Sequence, residues 1–268
     1  MSIQKSEVGV CILFFGKLCQ TIECITSLLS TGINIYVLNN GSSKDSNKAL
    51  REFFKNEPTV KLLDSAENLG VSGGRNYLIR NTSEKWQLFV DNDIIMRTED
   101  WATVFVRSVS RIIDAEVFVP RVYNIHEKKY HPLQALRIKD HKTAMESIDS
   151  NLSNFYFGGA SFVNRNLFSR LGLYDEKMFV GFEDVEICIR AILGGEPVRS
   201  MIIPEIEMNH DHRPAGTEED RRSVRIRYDH KLIRASYSRI IEKYGLIYED
   251  PWDSWIEEQL KRMLGEPS

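Results

Sequence analysis

The chain is organised around the run Trp86-Gln87-Leu88-Phe89-Val90-Asp91-Asn92-Asp93-Ile94-Ile95. Its apolar residues at 88–90 predict a short buried strand that ends at two acids. On an extended backbone, Asp91 and Asp93 would point to the same side, at the carboxyl end of the strand. Ligands of open α/β sheets bind outside such ends, and aligned carboxylates there favour a divalent cation that also binds phosphate oxygens. A solvated acidic turn is the alternative interpretation of this pair alone.

Strands and helices alternate on both sides of this run. Apolar stretches predict strands over residues 8–15, 33–38 and 60–63, and periodic apolar residues predict a helix after each of the first two. A further helix is predicted over 101–113, followed by a strand over 116–120. This alternation indicates βαβ units and a parallel sheet.

Composition limits the class of protein. A chain of 268 residues with 42% hydrophobic residues can form one α/β domain of ordinary size. The net charge of -3 argues against a protein that binds duplex nucleic acid, which would carry a basic surface. Cys11, Cys19, Cys24 and Cys188 include no CxxC pair, so we expect buried free thiols in a reducing compartment.

The N-terminal residues do not have the pattern of a secretory signal. Residues 1–7 are polar, and the apolar run over 8–15 is too short for the hydrophobic part of a signal peptide. No apolar stretch approaches the length of a membrane span. We therefore expect a soluble cytoplasmic protein.

Small residues and acids mark three further segments. Gly70, Gly73 and Gly74 precede an amphipathic stretch, and a helix start lined by glycine can bring free N–H groups close to a ligand. Tight packing of that helix on the sheet is the alternative. A strand predicted over 155–163 contains Gly158-Gly159-Ala160, which leaves room against the backbone. Acids at 183, 184 and 186 crowd the start of a helix, which the helix dipole alone would also favour.

Two longer segments lie outside these motifs, and each has two interpretations. Residues 121–153 are polar and aperiodic, and we interpret them as a mobile loop over the site or as a surface insertion. Residues 221–244 predict one basic, aromatic helix, followed by a last helix over 252–264. Contact of the basic helix with an anionic membrane is one hypothesis, and packing on the main domain is the favoured one. No role is assigned to His126, His131, His141 or His230.

Five motifs occur in an order that resembles family 2 glycosyltransferases, the inverting, nucleotide-sugar-dependent enzymes of the GT-A fold. They are Asn39-Asn40-Gly41-Ser42-Ser43-Lys44-Asp45, Asn68-Leu69-Gly70 with Gly73-Gly74-Arg75-Asn76, Asp91-Asn92-Asp93, Glu183-Asp184 and His210. The resemblance covers residues 8–215 and implies a Rossmann-like, mostly parallel α/β sheet flanked by helices. It implies a GT-A domain over 1–217, with a nucleotide-binding half to about 120 and an acceptor half from 121. Residues 218–268 would form a C-terminal helical extension.

The resemblance also implies roles for individual residues. Asp91 and Asp93 match the family's DxD motif, with Asp93 as the more direct metal ligand and His210 or His212 as a further ligand. Asp184 matches the catalytic base, with Glu183 beside it. The implied nucleotide-binding residues are Phe14, Asn39, Asn68, Gly74, Arg75, Asp91 and Asn92. Asn39 stands where most relatives carry aspartate, and Phe14-Phe15-Gly16 replaces the family's usual proline-threonine.

The implied reaction moves a sugar from a nucleotide diphosphate donor, a UDP-sugar, to a hydroxyl of a glycan, lipid-linked or protein acceptor. Mn²⁺ or Mg²⁺ would stabilise the charge of the leaving diphosphate, and Asp184, ionised by its helix N-terminus, would accept the proton. One base and no nucleophile imply inversion at the anomeric carbon. The alternatives are a retaining transferase of the same fold and a non-catalytic domain that binds sugar nucleotides or glycans. A sugar-nucleotide pyrophosphorylase is disfavoured because no glycine-rich phosphate loop follows the first strand.

Overall fold

The computed structural model describes residues 3–112, 114–248 and 252–266, with side chains at 252 and 253 excepted. Its helices are Leu18–Leu28 (α1), Lys44–Phe53 (α2), Gly70–Asn81 (α3), Trp101–Arg111 (α4), Asn166–Leu171 (α5), Glu183–Leu193 (α6), Glu218–Arg227 (α7), His230–Tyr244 (α8) and Trp252–Leu264 (α9). Short 3-10 turns cover Lys5–Glu7 and Leu29–Thr31.

The strands of the described chain follow the predicted alternation in its first half. They are Val8–Phe14 (β1), Asn34–Asn39 (β2), Val60–Asp64 (β3), Trp86–Val90 (β4), Ile94–Met96 (β5), Val117–Asn124 (β6), Lys129–Tyr130 (β7), Gln134–Lys139 (β8), Lys142–Ser147 (β9), Leu152–Ser153 (β10), Ala160–Asn164 (β11), Ser200–His210 (β12) and Ile247–Tyr248 (β13).

The large sheet has the strand order β10-β12-β6-β11-β4-β1-β2-β3. Its β4-β1-β2-β3 half is parallel, and β6 and β12 also pair in parallel. Strand β11 runs antiparallel between β4 and β6, and β5 pairs with the end of β12. A small second sheet has the order β13-β9-β8. The carboxyl ends of β1 and β4 therefore lie side by side.

Strand β4 is buried on both faces, as its continuous apolar run predicts. Leu88 and Val90 pack into one apolar cluster, and Phe89 packs into the cluster on the opposite face of the sheet. On the first of these faces, Phe105 of α4 stacks on Phe162 of β11 with ring centroids 4.0 Å apart. Such double-sided burial is typical of central strands in α/β sheets.

Residues 121–153 are not a mobile loop in this structure. The segment continues β6 and then forms β7 to β10, of which β8 and β9 pair as an antiparallel hairpin. Leu136 and Thr143 are buried, so the hairpin has an inner face although most of its residues are polar. The strands were missed because they are short and their apolar alternation is weak.

The predicted helix over 221–244 is two helices. Asp229 separates them, because its carboxylate accepts hydrogen bonds from the N–H groups of Lys231 and Leu232 and so begins α8. The strand predicted over 155–163 begins only at Ala160, since Gly158 and Gly159 lie in a turn. The expectation of four buried thiols is wrong for Cys19, which is exposed. Among the described residues, no helix combines the length and apolar character needed to cross a membrane.

Candidate active site

A cavity of about 310 Å³ lies beyond the carboxyl ends of β1 and β4. Acidic and histidine side chains form one part of its lining, and residues of α7 and α9 form another part. The polar residues of its wall that matter below are Lys17, Arg75, Asp91, Asp93, His131, Glu183, Asp184, His210, His212, Arg227 and Arg262. The motifs that resemble the glycosyltransferase family thus converge on one space.

Asp93, His210 and His212 form a group that can hold a metal ion. Each offers one ligand atom, and these atoms lie within 4.8 Å of one another. Nε2 of His210 is 3.3 Å from Oδ1 of Asp93, and Nδ1 of His212 is 3.8 Å from Oδ2. Pairing of β5 with β12 produces this geometry, because it aligns His210 with Ile94 directly after Asp93. The structure brings both histidines to the site, where the sequence left a choice between them.

The chemistry of this donor set fits a divalent ion. One carboxylate and two imidazoles suit a first-row transition ion such as Mn²⁺ better than Mg²⁺, which prefers oxygen ligands. Burial and the neighbouring His210 lower the pKa of His212 to about 3, so its ring is neutral and can donate a lone pair. Burial alone would raise the pKa of Asp93, but Lys17, His210 and His212 hold it well below its ordinary value. Asp93 and His212 are therefore in the forms that bind metal.

Asp91 does not lie beside Asp93, and the prediction of aligned carboxylates is wrong. Strand β4 ends at Val90, and the N–H of Ile94 donates to the carbonyl of Asp91 at 3.0 Å, which closes a turn. Because the backbone turns, the Asp91 carboxylate faces Arg75, whose Nη2 is 3.6 Å away. Asp91 is thus outside the metal-type group of the described chain, although it lines the cavity.

Arg75 is a buried cation of the cavity wall and does not belong to the metal-type group. Its Nη1 donates to Oε1 of Glu183 at 2.7 Å, and only 4% of the residue is exposed. A Cβ at Gly158 would lie 2.6 Å from the same Nη1. The absence of a side chain at Gly158 therefore leaves the space that the Arg75 guanidinium occupies, as predicted from the small residues of this segment. The N–H of Gly158 donates to Oδ2 of Asp184 at 3.1 Å.

Asp184 has a raised pKa, which contradicts the expectation that the helix N-terminus lowers it. Burial and the charge of Glu183 raise it to about 7, against the opposing effects of Arg75 and of the N–H groups of Gly158 and Val185. Desolvation outweighs the helix dipole here because Asp184 lies inside the cavity wall instead of at an exposed helix end. A carboxylate with this pKa is a stronger base than an ordinary aspartate.

The turn that presents these acids has left-handed backbone geometry. Gly181 has φ 76° and Phe182, the residue before α6, has φ 67°. For a bulky residue such as Phe182 this conformation costs on the order of 1–3 kcal/mol and persists only where the surroundings impose it.

The predicted nucleotide-binding residues divide into two sets. Asn68 and Asn92 line the cavity together with Arg75 and Asp91. Asn92 donates to the carbonyl of Gly16 at 3.3 Å and to Oγ1 of Thr21 at 2.8 Å, so it fixes the β1–α1 connection.

Phe14, Asn39 and Gly74 lie behind the cavity wall. Phe14 is fully buried in the core, and a Cβ at Gly74 would meet Leu13 at 2.8 Å, so this glycine allows α3 to pack on β1. Asn39 donates to Oδ1 of Asp64 at 3.2 Å and accepts from the N–H of Ser42 at 3.0 Å. Its neighbour in sequence, Asn40, lines the cavity instead.

Two residues beside the metal-type group were not predicted from the sequence. Lys17 follows the glycine that ends the first predicted strand, and its Nζ is 2.9 Å from Oδ2 of Asp93. His131 precedes β8; its Nε2 is 3.2 Å from Nδ1 of His210, and its ring stacks on Phe157 with centroids 5.1 Å apart. The position of Lys17 after a strand end was a usable signal, whereas His131 lies in a segment whose strands were not recognised.

The C-terminal helices are part of the cavity. Thr217 and Asp220 form a capping box at the start of α7, and Asp220 also accepts from the N–H of Lys17 at 2.6 Å. This contact ties α7 to the β1–α1 connection across the cavity mouth. Residues predicted as an extension therefore supply walls of the site.

Comparison with solved structures shows a GT-A glycosyltransferase fold. A mannosyltransferase from Pyrobaculum calidifontis, solved with GDP-Man and Mn²⁺, superposes with a TM-score of 0.59 at 14% identity, over 95% of this chain and 69% of that one. TarS of S. aureus with UDP-GlcNAc gives a TM-score of 0.61 at 13% identity, over 96% and 71%. GalNAc-T7 with UDP, GalNAc and Mn²⁺ gives 0.60 at 18%, over 97% and 56%. The predicted GT-A fold is confirmed.

Sequence comparison identifies relatives and the family. The dTDP-rhamnosyl transferase RfbF of Shigella flexneri is 27% identical over 197 residues, 69% of this chain and 62% of that protein. The low-salt glycan biosynthesis hexosyltransferase Agl10 of Haloferax volcanii is 22% identical over 183 residues, 64% and 57%. This chain thus spans less than two thirds of the length of either relative. Glycosyl transferase family 2 matches residues 10–172. That match extends over more than half of the sequence, and the chain belongs to glycosyl transferase family 2, as its motifs predict.

Proposed function

We propose that this protein transfers a glycosyl group from a nucleotide diphosphate sugar to an acceptor hydroxyl, with inversion. One observation carries the proposal: the metal-type group of Asp93, His210 and His212 shares a single cavity with the half-buried base candidate Asp184. Displacement of a diphosphate needs charge stabilisation at one end of the sugar and proton removal at the other. The presence of a metal-type group and a base candidate in one cavity supports this proposal.

The proposed donor is a pyrimidine nucleotide sugar, a UDP-sugar or its dTDP analogue. RfbF is named as a dTDP-rhamnosyl transferase, and two of the structural neighbours were solved with UDP or UDP-GlcNAc. The proposed ion is Mn²⁺, which is present in the mannosyltransferase structure with GDP-Man and in the GalNAc-T7 structure with UDP. Asp93, His210 and His212 would hold it, and when bound it supplies Lewis-acid stabilisation of the leaving diphosphate.

Asp184 is the proposed general base. The acceptor hydroxyl oxygen attacks the anomeric carbon, the bond from that carbon to the diphosphate oxygen breaks, and the hydroxyl proton moves to Asp184. Oε2 of the adjacent Glu183 is buried without a hydrogen-bond partner among the described residues, which leaves it free to accept from a substrate hydroxyl. Arg75 holds the other oxygen of Glu183. A single displacement of this kind inverts the anomeric configuration.

The acceptor is proposed only as a hydroxyl of a glycan, a lipid-linked glycan or a protein. Membrane contact through the basic helices receives limited support, because Arg239 and Lys243 of α8 pair with Asp175, and Lys243 also pairs with Glu186. These pairs hold α8 against the catalytic domain. Co-sedimentation with liposomes that contain anionic lipid tests the hypothesis, and binding independent of that lipid would reject it.

The proposal is tested with a panel of UDP-, dTDP- and GDP-sugars and simple glycoside acceptors. Release of the nucleoside diphosphate is measured with Mn²⁺ and with EDTA, and the anomeric configuration of the product is read by NMR. We expect Mn²⁺-dependent release with inversion, and loss of release in Asp184→Asn. Asp140→Asn, an exposed acid outside the site, is the matched control. Retention, or tight nucleotide-sugar binding without turnover on any acceptor, would contradict the proposal.

A further inference from the structure

Two arginines of the C-terminal helices line the active-site cavity, and neither belongs to the metal-type group or to the acid pair. Arg227 lies at the end of α7 and Arg262 lies in α9. The other cations of the cavity wall have anionic partners, since Lys17 pairs with Asp93 and Arg75 pairs with Glu183. Neither arginine belongs to a motif that predicts a role in the site.

Arg227 has no hydrogen bond and no direct ion pair with any residue that the structure describes. The charges of Asp91 and Glu183 attract it at longer range, and that of Arg75 repels it. Arg227 is therefore on the side of the cavity that holds the acid pair. A guanidinium presents five N–H donors, and these are not used by the protein at this position.

Arg262 is only partly satisfied by the protein. Its Nε donates to Oε1 of Gln259 at 3.2 Å, and Nη2 donates to the same oxygen, but Nη1 is buried without a partner among the described residues. Its positive charge acts on His212, which places it near the metal-type group. A buried guanidinium N–H without a partner is costly unless a ligand satisfies it.

The helices that hold these arginines are fixed to each other. Nη1 of Arg221 in α7 donates to the carbonyl of Leu264 in α9 at 3.1 Å, and the N–H of Ala215 donates to the carbonyl of Met263 at 2.7 Å. Met263 and Leu264 are buried in the contact. The helix backbones that carry Arg227, which is exposed toward the cavity, and Arg262, which is half-buried, are therefore held in place before any ligand binds. This reduces the part of the entropy cost of binding that comes from ordering the helices.

We infer that Arg227 and Arg262 form an anion-binding pair that takes the phosphate oxygens of a ligand in the active-site cavity. Guanidinium groups bind phosphate with two parallel, charge-assisted hydrogen bonds, and the proposed donor carries a diphosphate. The inference rests on the proposed function for the identity of the ligand. The phosphate can belong to the diphosphate of the donor or to a phosphate carried by the acceptor, and both present the same oxygens.

Calorimetric titrations with named probes test the pair. UDP, uridine and inorganic pyrophosphate are titrated into the Mn²⁺-loaded protein and into Arg227→Met, Arg262→Met and the double variant. We expect each single substitution to weaken UDP and pyrophosphate binding about tenfold and to leave uridine binding unchanged. Arg225→Met is the matched control, because Arg225 lies in the same helix, is exposed and pairs with Glu218.

Two further arms separate the sources of phosphate and guard against misfolding. Inorganic phosphate is titrated into the protein that is already saturated with UDP and Mn²⁺. Binding under these conditions indicates a site for a phosphate carried by the acceptor, and loss of that binding in the arginine variants would also support the anion-binding pair. Arg227→Lys and Arg262→Lys keep the charge and should retain part of the binding, whereas an unfolded variant would lose its thermal transition.

Unchanged binding of UDP, pyrophosphate and phosphate in the folded double variant would overturn the inference. Failure of the proposed function gives a different result. In that case the parent protein binds no nucleoside diphosphate, while arginine-dependent binding of pyrophosphate persists and the anion-binding pair stands.

Discussion

The ammonium of Lys17 lies 2.9 Å from Oδ2 of Asp93, on the carboxylate that also faces His210 and His212. Both members of this ion pair are largely buried. A buried carboxylate needs a cation, and the chain itself supplies one beside the proposed metal position. A divalent ion bound to Asp93 would therefore have a second positive charge as its neighbour.

Replacing Lys17 should strengthen metal binding. In Lys17→Met, we expect the affinity for Mn²⁺ to rise about tenfold, because repulsion between the ammonium and the ion disappears. The measurement is Mn²⁺ titration followed by electron paramagnetic resonance at pH 8, where the remaining carboxylate stays ionised. Lys5→Met, which removes an exposed pair with Asp100, is the control. Weaker Mn²⁺ binding in Lys17→Met would show that the ammonium supports the site instead of competing with the ion.

Both histidines of the metal-type group should contribute to metal affinity. We expect His210→Gln and His212→Gln each to lower Mn²⁺ affinity about 10–100-fold, since each removes one of three donors whose ligand atoms lie within 4.8 Å of one another. The same electron paramagnetic resonance titration measures the Mn²⁺ affinity of both variants. His126→Gln is the control, because His126 is exposed. Normal affinity in one of the two variants would reduce the ligand set to Asp93 and the other histidine.

His131 is expected to act as a positioning residue for His210. Burial lowers the pKa of His131 to about 4, so its ring is neutral and its Nε2 can accept a proton shared with Nδ1 of His210. That contact leaves Nε2 of His210 free for metal. His131→Phe keeps the stacking on Phe157 but should lower Mn²⁺ affinity about tenfold and shift the ¹⁵N resonances of the His210 ring.

His131→Gln retains an acceptor and should restore part of the affinity lost in His131→Phe. Equal Mn²⁺ affinity in the parent and in His131→Phe, with unchanged His210 resonances, would reject the positioning role. A purely structural role would lower the thermal stability without changing the tautomer of His210.

The parallel half of the fold was predictable because its strands are continuous apolar runs. Strands β1 and β4 are almost fully buried and β2 is buried along most of its length, so their burial is visible in sequence as apolar runs. Strand β3 lies at the edge of the sheet and has no buried residue, but it still follows the alternation of strands and helices. Asp93, Glu183 and His210 were also predictable, because each lies close to an end of an element. Asp93 lies in the turn after β4, Glu183 begins α6 and His210 ends β12.

The remainder of the site depends on tertiary contacts that leave no local pattern. Asp91 turns away because of a hydrogen bond within the turn, and Asn39 is occupied by Asp64 from the neighbouring strand. The raised pKa of Asp184 results from burial by elements distant in sequence. Arg227 reaches the cavity only because α7 is fixed across its mouth.

The pKa of Asp184 predicts opposite effects of pH on activity and stability. Activity should rise with pH up to about 7 and then level off, because only the ionised form accepts a proton. Since the folded-state pKa is raised above the ordinary value of 3.8, the contribution of Asp184 to stability is present below that value and is lost as the pH rises through about 7. Asp184→Asn lacks this ionisation.

Thermal unfolding of Asp184→Asn and the parent from pH 4 to pH 8 measures this difference. The variant should gain in relative stability as the pH rises and should exceed the parent at pH 8, while its activity falls by about a hundredfold or more. A stability difference that does not change over this range would mean that Asp184 has an ordinary pKa. Asp140→Asn, which is exposed, should show neither effect.

Gly158 is expected to tolerate no side chain, because it lies between the side chains of Arg75 and Asp184. The Cβ of Gly158→Ala would be 2.6 Å from Nη1 of Arg75 and 3.2 Å from Oδ2 of Asp184. Displacement of Arg75 breaks its pair with Glu183 and leaves a buried carboxylate without a counter-ion, which destabilises the protein by about 3–5 kcal/mol. Gly216→Ala is the control, since its Cβ would make only an ordinary contact at 3.7 Å. Urea unfolding measures both variants, and a loss below about 1 kcal/mol in Gly158→Ala would show that Arg75 can move without breaking the pair.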